Sequence, residues 1–398
     1  MAKPTLALIP ASQGSKVFSV LPSSGVGDFD FSRGSAATRI NSLGLIENVA
    51  SGQSRLEYPM IDGVVSGCPS LLLENSATNL ITYSEDFSNA AWNKVNSAGS
   101  TLPNVTSNYG ISPDGSLNAD RIQVSRASGA ADFSSVYKSI TTSSVNRAHS
   151  IWLKSLSGTP TILILNNDGT YVSQQITTEW VRYELDLGVG TTTEIQLSVV
   201  GSNFVANVSE SADFLAYGAQ LEEGSYPTSY IKSNSGSTTT RAAETANGAG
   251  DASTFNDSEG VLMVEISALA DDGTNKFISI SDGTINNRIN IVFDTSNNIN
   301  ARQSPGSVNI STSGVNILNS NKIAYEYQSG SQELWVNGFK IGTRSASTLP
   351  SGIDRLSFDS FNGGDIMYSK TKQIQYFQTV LTDSELEQLT SWTSFTAM

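Results

Sequence analysis

Short apolar runs separated by clusters of Gly, Ser, Thr and Asn recur along the whole chain, and their period is that of strands rather than helices. The pattern is clearest in the middle. Residues 161–166 (TILILN) form a continuous apolar run, and residues 171–176, 179–185 and 194–200 alternate or run apolar as half-buried strands do. Asp168-Gly169, between the first two, is the residue pair of a tight hairpin turn. Residues 260–267, 276–281, 288–293, 322–328 and 333–336 carry the same signature, with Asp282-Gly283 and Asn337-Gly338 as turns. Towards the amino terminus the apolar segments shrink to residues 6–9, 17–21, 43–46 and 71–73. A single helix is predicted near the end. Thr382 is its N-cap, Asp383 and Glu385 suit the positive end of its dipole, and Leu386 and Leu389 share one face.

These elements predict an all-β chain in three blocks. Residues 1–82 form an irregular β-rich module, while residues 83–235 and 259–398 form two β-sandwiches of jelly-roll type with a short C-terminal helix. Residues 236–258, poor in apolar side chains, are expected to be a linker. The first block has too little apolar sequence to bury a core alone. A neighbouring subunit is therefore expected to cover it, most simply in a homotrimer, with residues 1–10 as an extended arm adding a strand to that neighbour.

Composition supports this reading and narrows the partners. Only 15% of the 398 residues are charged, and 38% are hydrophobic. The net charge of -14 argues against nucleic acid and against an anionic membrane surface, both of which need clustered Lys and Arg. No run reaches the length of a membrane span, and the amino terminus lacks a signal-peptide core, so a protein assembled in the cytoplasm without membrane insertion is expected. Cys68 is the sole cysteine and His149 the sole histidine. The former is expected as a small buried hydrophobe and the latter as a structural residue rather than a general base.

The first block carries a series of weak motifs in fixed order: Phe31-Ser-Arg33-Gly-Ser-Ala-Ala-Thr38-Arg39, Gly44-Leu-Ile-Glu47, Arg55-Leu-Glu-Tyr58, Leu71-Leu-Leu-Glu74 and Thr78-Asn-Leu80. Together they resemble a module of tailed-bacteriophage structural proteins of the tail- or head-fibre type. The second block is similar to jelly-roll carbohydrate-binding modules in Phe87-Ser-Asn-Ala-Ala-Trp92, Ser150-Ile-Trp152-Leu-Lys154, Trp180-Val-Arg-Tyr183 and Ala219-Gln-Leu-Glu222. In the third, Leu334-Trp-Val-Asn-Gly338 and the closing strand and helix resemble laminin-G and concanavalin-like sandwiches. The resemblance implies a virion surface protein, a fibre, spike or decoration. It would be anchored by its first block to other virion proteins and would meet host-surface glycans through lectin-like domains. A purely structural capsid or tail component is the alternative.

Sugar recognition needs an exposed aromatic face with amides and carboxylates around it. Tyr171, Trp92, Tyr109 and Tyr217 are the candidates, whereas Trp152, Trp180 and Trp335 sit in strand patterns and are expected in cores. No cofactor is required. A Ca2+ at the rim of the last sandwich would draw on the loop carboxylates Asp271, Asp272, Asp359 and Asp365, although no fixed calcium-loop motif is present. A polysaccharide depolymerase would need two carboxylates facing each other across a groove, and no acidic pair stands in such a setting. Asp28, Arg33, Arg39, Glu47, Arg55 and Glu74 are expected as ion pairs that fix the irregular first block.

Overall fold

The computed structural model describes residues 3–392, so the outermost residues of the first and third blocks lie outside it. The chain is almost entirely β, with the single helix Asp383–Thr390. The strands at residues 276–281 and 288–293 occupy the predicted positions, and those at 161–167, 170–175, 259–268, 321–328 and 331–336 do so to within two residues. Asp168-Gly169 and Asn337-Gly338 both take positive φ, the backbone that a two-residue hairpin turn demands. At Asp282-Gly283 the turn is wider, because the Asp282 amide donates to the Asn287 carbonyl. Residues 179–185 and 194–200, predicted as two strands, are the ends of one strand, Val181–Val200.

The middle block is one continuous sheet wrapped around a core. Its central ribbon pairs Phe133–Ser155 with Val181–Val200, and the register slips between Thr141 and Val145 and again between Arg147 and Ala148. One half of the ribbon therefore carries Thr161–Asn167 and Thr170–Gln175, while the other carries Ser211–Glu223, Leu117–Ser125 and Thr101–Ile111. Ile122, Ile151, Phe214, Ile195 and Leu197 meet between the halves.

The last sandwich is closed by the first block. Its larger sheet runs through Phe339–Arg344, Ser331–Val336, Asn321–Gln328, Glu259–Ala268 and Ser369–Phe377, then continues into Ser70–Leu73 and Arg55–Glu57. Leu6–Leu8 pairs with the far half of Ser369–Phe377. Leu6, Leu8, Phe29, Phe31, Leu71 and Leu73 thus share a core with Leu262, Ile278, Ile291 and Tyr325. The arm expected to reach a neighbour adds its strand to its own chain. Leu6, Leu8, Val17 and Leu71–Leu73, expected to require another subunit, are covered in cis, whereas Ile9, Val20 and Leu43 stay exposed. The helix packs Leu386 and Leu389 on the outer face of the same sheet, against Val261, Met263 and Trp335.

Residues 236–258 are built in rather than acting as a linker. Thr239–Arg241 pairs with Ala77–Asn79, and Thr245–Asn247 pairs with Phe29–Ser32. Ala246 and Ala249 are fully buried in the C-terminal core. The segment looked solvated because its interior charges find their partners far away in sequence. Glu244 accepts from Arg33 Nη1 at 2.7 Å and from Arg55 Nε at 2.8 Å. Glu74 receives Arg55 Nη2 and Arg241 Nη1, each at 2.7 Å. Burial alone would raise the Glu74 carboxyl, but Arg241 and Arg55 overcome it and hold the group well below the usual carboxylate range. The ion-pair expectation for Arg33, Arg55 and Glu74 is met here, and Arg39 pairs with Glu47 at 3.0 Å nearer the surface. Asp28 instead accepts from the Ser19 backbone and hydroxyl.

Candidate functional site

Three of the four aromatic candidates are unavailable to a ligand or only partly exposed. Trp92 is 1% exposed, tilts against Phe87 at 4.8 Å and donates its indole N–H to the Tyr83 carbonyl at 3.0 Å. It plugs the core. Tyr217 is 2% exposed and donates to Asp114 Oδ2 at 3.1 Å. With Trp152 and Tyr230 it lies beneath Ile40 and Ile46 of the first block, so an outward-facing position on the sandwich is roofed by another part of the chain. Trp152 is buried as expected, but in this junction rather than in the sandwich core. Tyr171 is half-buried and sets its ring edge-to-face on Phe204 at 5.8 Å.

Tyr109 is different: it is 48% exposed. Its strand, Thr101–Ile111, is the edge of the sheet, and the register slips between Thr106 and Gly110. Asn108 takes a positive φ of 52° there while its amide donates to Asp120 Oδ1. Gly110 lies so close to Leu215 that a Cβ would stand 2.5 Å from Cδ1. The bulge and the missing side chain set Tyr109 over Arg121, whose Cζ is 4.8 Å from the ring centroid.

From Arg121 a polar ladder crosses the sheet. Arg121 Nε donates to Asp213 Oδ1 at 2.8 Å and Nη2 to Oδ2 at 2.5 Å, a two-pronged bond between neighbouring strands. Gln123 Nε2 also reaches Asp213 Oδ2, at 3.2 Å, and Asn104 Nδ2 donates to Gln123 Oε1 at 3.1 Å. The Arg121 hydrogen bonds outweigh partial burial and hold the Asp213 carboxyl below its usual value. Asn104, Gln123 and Asp213 line an open cleft of about 530 Å³ together with Leu102 and Ser125. A partly exposed aromatic ring beside carboxylate, amide and hydroxyl groups is the chemistry that holds a pyranose.

Tyr109 is among the aromatic candidates of the sequence, whereas Arg121, Gln123 and Asp213 are not. The alternation Arg121, Gln123, Ser125 against buried Ile122 and Val124 is visible in the sequence and marks an outward face. Asp213 lies across the ladder, opposite Gln123 but far away in sequence, and no local signal joins the two.

The loop carboxylates do not converge. Asp272 holds Lys276 Nζ at 2.6 Å and the Thr274 hydroxyl at 2.7 Å. Asp271 is exposed, and its carbonyl accepts from Asn297 Nδ2. Asp359 is 3% exposed, accepts from the Gly363 amide, and is pushed up by burial. Asp365 sits exposed at a left-handed turn. Among the described residues no three His, Cys, Asp or Glu side chains gather as metal ligands. His149 is fully buried, with Nδ1 2.9 Å from the Gln220 carbonyl, and burial lowers it to about 4. Cys68 is exposed rather than buried, because it lies in the loop between Val64–Val65 and Ser70–Leu73.

The chain matches no protein-family model and no curated protein. Among solved structures it is similar to the CBM40 of the Ruminococcus gnavus IT-sialidase bound to alpha2,3 sialyllactose, at 15% identity over 36% of this chain and 91% of that one, with a TM-score of 0.31. It is also similar to domain 4 of AbnA, a GH43 extracellular arabinanase from Geobacillus stearothermophilus, at 12% identity over 42% and 83%, with a TM-score of 0.31. Domains LG4-5 of the mouse laminin alpha1 chain share 7% identity over 62% and 88%, with a TM-score of 0.25. Each likeness is partial, and the all-β, sandwich-built fold described above rests on the chain's own strand pairings.

Proposed function

We propose that this protein is a non-enzymatic glycan-binding surface protein, and that Tyr109, Arg121, Gln123, Asp213 and Asn104 form its sugar-contacting surface. The observation that carries the reading is the half-exposed Tyr109 ring, fixed on Arg121 at the head of a polar ladder whose Asn104, Gln123 and Asp213 line a cleft. An open, shallow surface gives weak single-site affinity, which suits a protein displayed in many copies. The ordered motif series of the first block supports a place on a bacteriophage particle as a fibre, spike or decoration that contacts host glycans.

Attachment to the particle is assigned to the first block. Leu43, Ile61 and Val64 are 77%, 61% and 67% exposed there. Ile61 and Val64 pair directly across a short hairpin, and Gly44, beside Leu43, lies against Met60 and Val65 of the same hairpin. An exposed apolar patch of this kind fits a protein partner, so the same patch also favours the second reading, a structural decoration that never meets a receptor.

The test is binding of fluorescently labelled protein to host cells and to a glycan panel, with Tyr109→Ala alongside. Saturable binding that free glycan competes away, weakened about tenfold by Tyr109→Ala at unchanged melting temperature, supports the reading; tenfold corresponds to about 1.4 kcal/mol. Binding to purified particles but to no cell or glycan would favour the structural reading. Release of reducing ends from host capsule would overturn the non-enzymatic assignment.

A further inference from the structure

The smaller sheet of the last sandwich turns one face to the core and the other away from it, and this second face, buried at Phe277, Ser279 and Asn290, carries two partly exposed arginines. Its strands run Val308–Thr312, Ile299–Ser304, Arg288–Phe293, Lys276–Ser281 and Arg355–Ser357. Ile278, Ile289, Ile291 and Ala301 point into the core. By alternation Phe277, Ser279, Arg288, Asn290 and Arg302 stand on the opposite face. Asn290 lies opposite Arg302 in the ladder, and Arg288 is its neighbour two positions along the same strand. Both guanidiniums lean towards the Phe277 ring, with Cζ 6.0 Å away for Arg288 and 5.8 Å for Arg302. Phe361 flanks Arg288 at 4.9 Å, and Arg288 Nη1 donates to the Ser360 carbonyl at 3.1 Å.

Neither arginine has a close carboxylate. The nearest pairing is Arg302 Nη2 to Asp294 Oδ2 at 3.9 Å, and that carboxylate already accepts from Ser296, Asn298 and Asn300. Among the described residues Arg288 has no ion-pair partner. Burial lowers its guanidinium, and the positive charge of Arg302 lowers it further, against a weaker pull from Asp365. Asn290, between them in the ladder, is 1% exposed, and its side-chain oxygen has no hydrogen-bond partner; Arg288 Nε is likewise buried and unpartnered. Two neighbouring guanidiniums, one with a buried and unpartnered Nε and the other with its carboxylate no nearer than 3.9 Å, repel each other, and a bound anion would relieve that cost and give the Arg288 Nε an acceptor.

We propose that this face binds an oxyanion carried by a polysaccharide, a sugar carboxylate or a sugar-linked phosphate, gripped between Arg288 and Arg302. That a saccharide carries the oxyanion rests on the glycan reading above; the arginine site does not. The planar guanidinium fork matches both oxyanions in a way that an ammonium group cannot.

The experiment is calorimetric titration of the full chain with inorganic phosphate, glucose 1-phosphate, an oligogalacturonide and its carboxyl-reduced neutral counterpart. Arg288→Gln, Arg302→Gln and Arg302→Lys are run beside the wild type. The expected result is millimolar or tighter binding of at least one oxyanion, weakened by salt, with the neutral oligomer at least about tenfold weaker. Each Gln variant should lose about tenfold, while Arg302→Lys, which keeps charge and stem, folds as wild type and loses part of the affinity. Phosphate binding with neither oligomer bound supports the site and counts against the glycan reading alone. Equal binding of acidic and neutral oligomers, wild-type affinity in both Gln variants, or no oxyanion binding at all would overturn the proposal.

Discussion

Arg55 and Glu244, 189 residues apart, face each other through two parallel hydrogen bonds, Nε to Oε1 at 2.8 Å and Nη2 to Oε2, and both side chains are fully buried. Around this pair Arg33, Arg241 and Glu74 complete a network that joins the first block to the segment between the sandwiches. Ser229, from the end of the middle block, donates its amide and hydroxyl to Glu74 at 2.8 and 2.6 Å. The first block, the middle block and the segment between the sandwiches therefore meet at one set of charges.

Removing a single member should cost more than the pair contributes, because an uncompensated charge is left in the interior. Glu244→Gln strips the partner from both Arg33 and Arg55, and a loss of about 3–5 kcal/mol is expected in urea unfolding. A change below about 1 kcal/mol would mean that water reaches the network and screens it.

The amino-terminal strand makes a second prediction. Leu6 and Leu8 are fully buried in the C-terminal core, although they open the chain. Leu8→Ala should destabilise by about 2–5 kcal/mol, the range for a buried leucine whose cavity does not collapse. Sedimentation should show the same mass as the wild type, because the strand pairs within its own chain. A stable variant with a changed mass would restore the expectation of an arm shared between subunits.

Much of the fold was legible because strand signals are local. Residues 276–281 and 288–293 show as short apolar-rich runs beside turn residues and are buried almost throughout, and Asn337-Gly338 carries its turn in its backbone preference. What joins the blocks was not legible. Leu6–Leu8 reads as a loose arm until Ser369–Phe377 supplies a sheet edge, and Arg241 and Glu244 read as solvated until Arg33, Arg55 and Glu74 appear beside them. The site divided along the same line. An aromatic candidate is visible as a residue type, but whether it is exposed depends on what lies over it. Tyr217 is roofed by the first block, while Tyr109 is lifted out by a bulge.

The helix near the end offers a local test. Thr382 accepts from the Glu385 amide, and Glu385 reaches back to the Thr382 amide at 3.0 Å, a reciprocal cap. Thr382→Ala should cost about 1 kcal/mol. Because the helix covers Met263 and Trp335, the loss should appear as faster amide exchange in Asp383–Thr390 and a shift in Trp335 emission. Unchanged exchange would show that packing by Leu386 and Leu389 holds the helix without its cap.

Two buried carboxyls set the response to pH. Burial raises Glu222 from 4.5 to about 7, against hydrogen bonds from Thr228 and the pull of Arg241. Burial likewise raises Glu326 to about 7, against the Leu381 amide. Each stays protonated in the folded chain up to the raised value, whereas in the unfolded chain it ionises near 4.5. Between these values unfolding releases a proton, so stability is full below the unfolded pKa and falls as pH rises towards 7. Each group contributes a fall of about 3 kcal/mol at most, at 1.36 kcal/mol per unit. Glu74 acts in the other direction and in a lower window. Its folded value is depressed, so its contribution is present above 4.5 and is lost as pH falls further. Maximal stability is therefore expected near about pH 5, with a decline towards pH 8. Glu222→Gln keeps the neutral shape at every pH and should remove its share of the decline, leaving the variant as stable as the wild type at pH 5 and more stable at pH 8. Urea unfolding at the two values checks this; a variant that keeps the full wild-type slope would place the titrating group elsewhere.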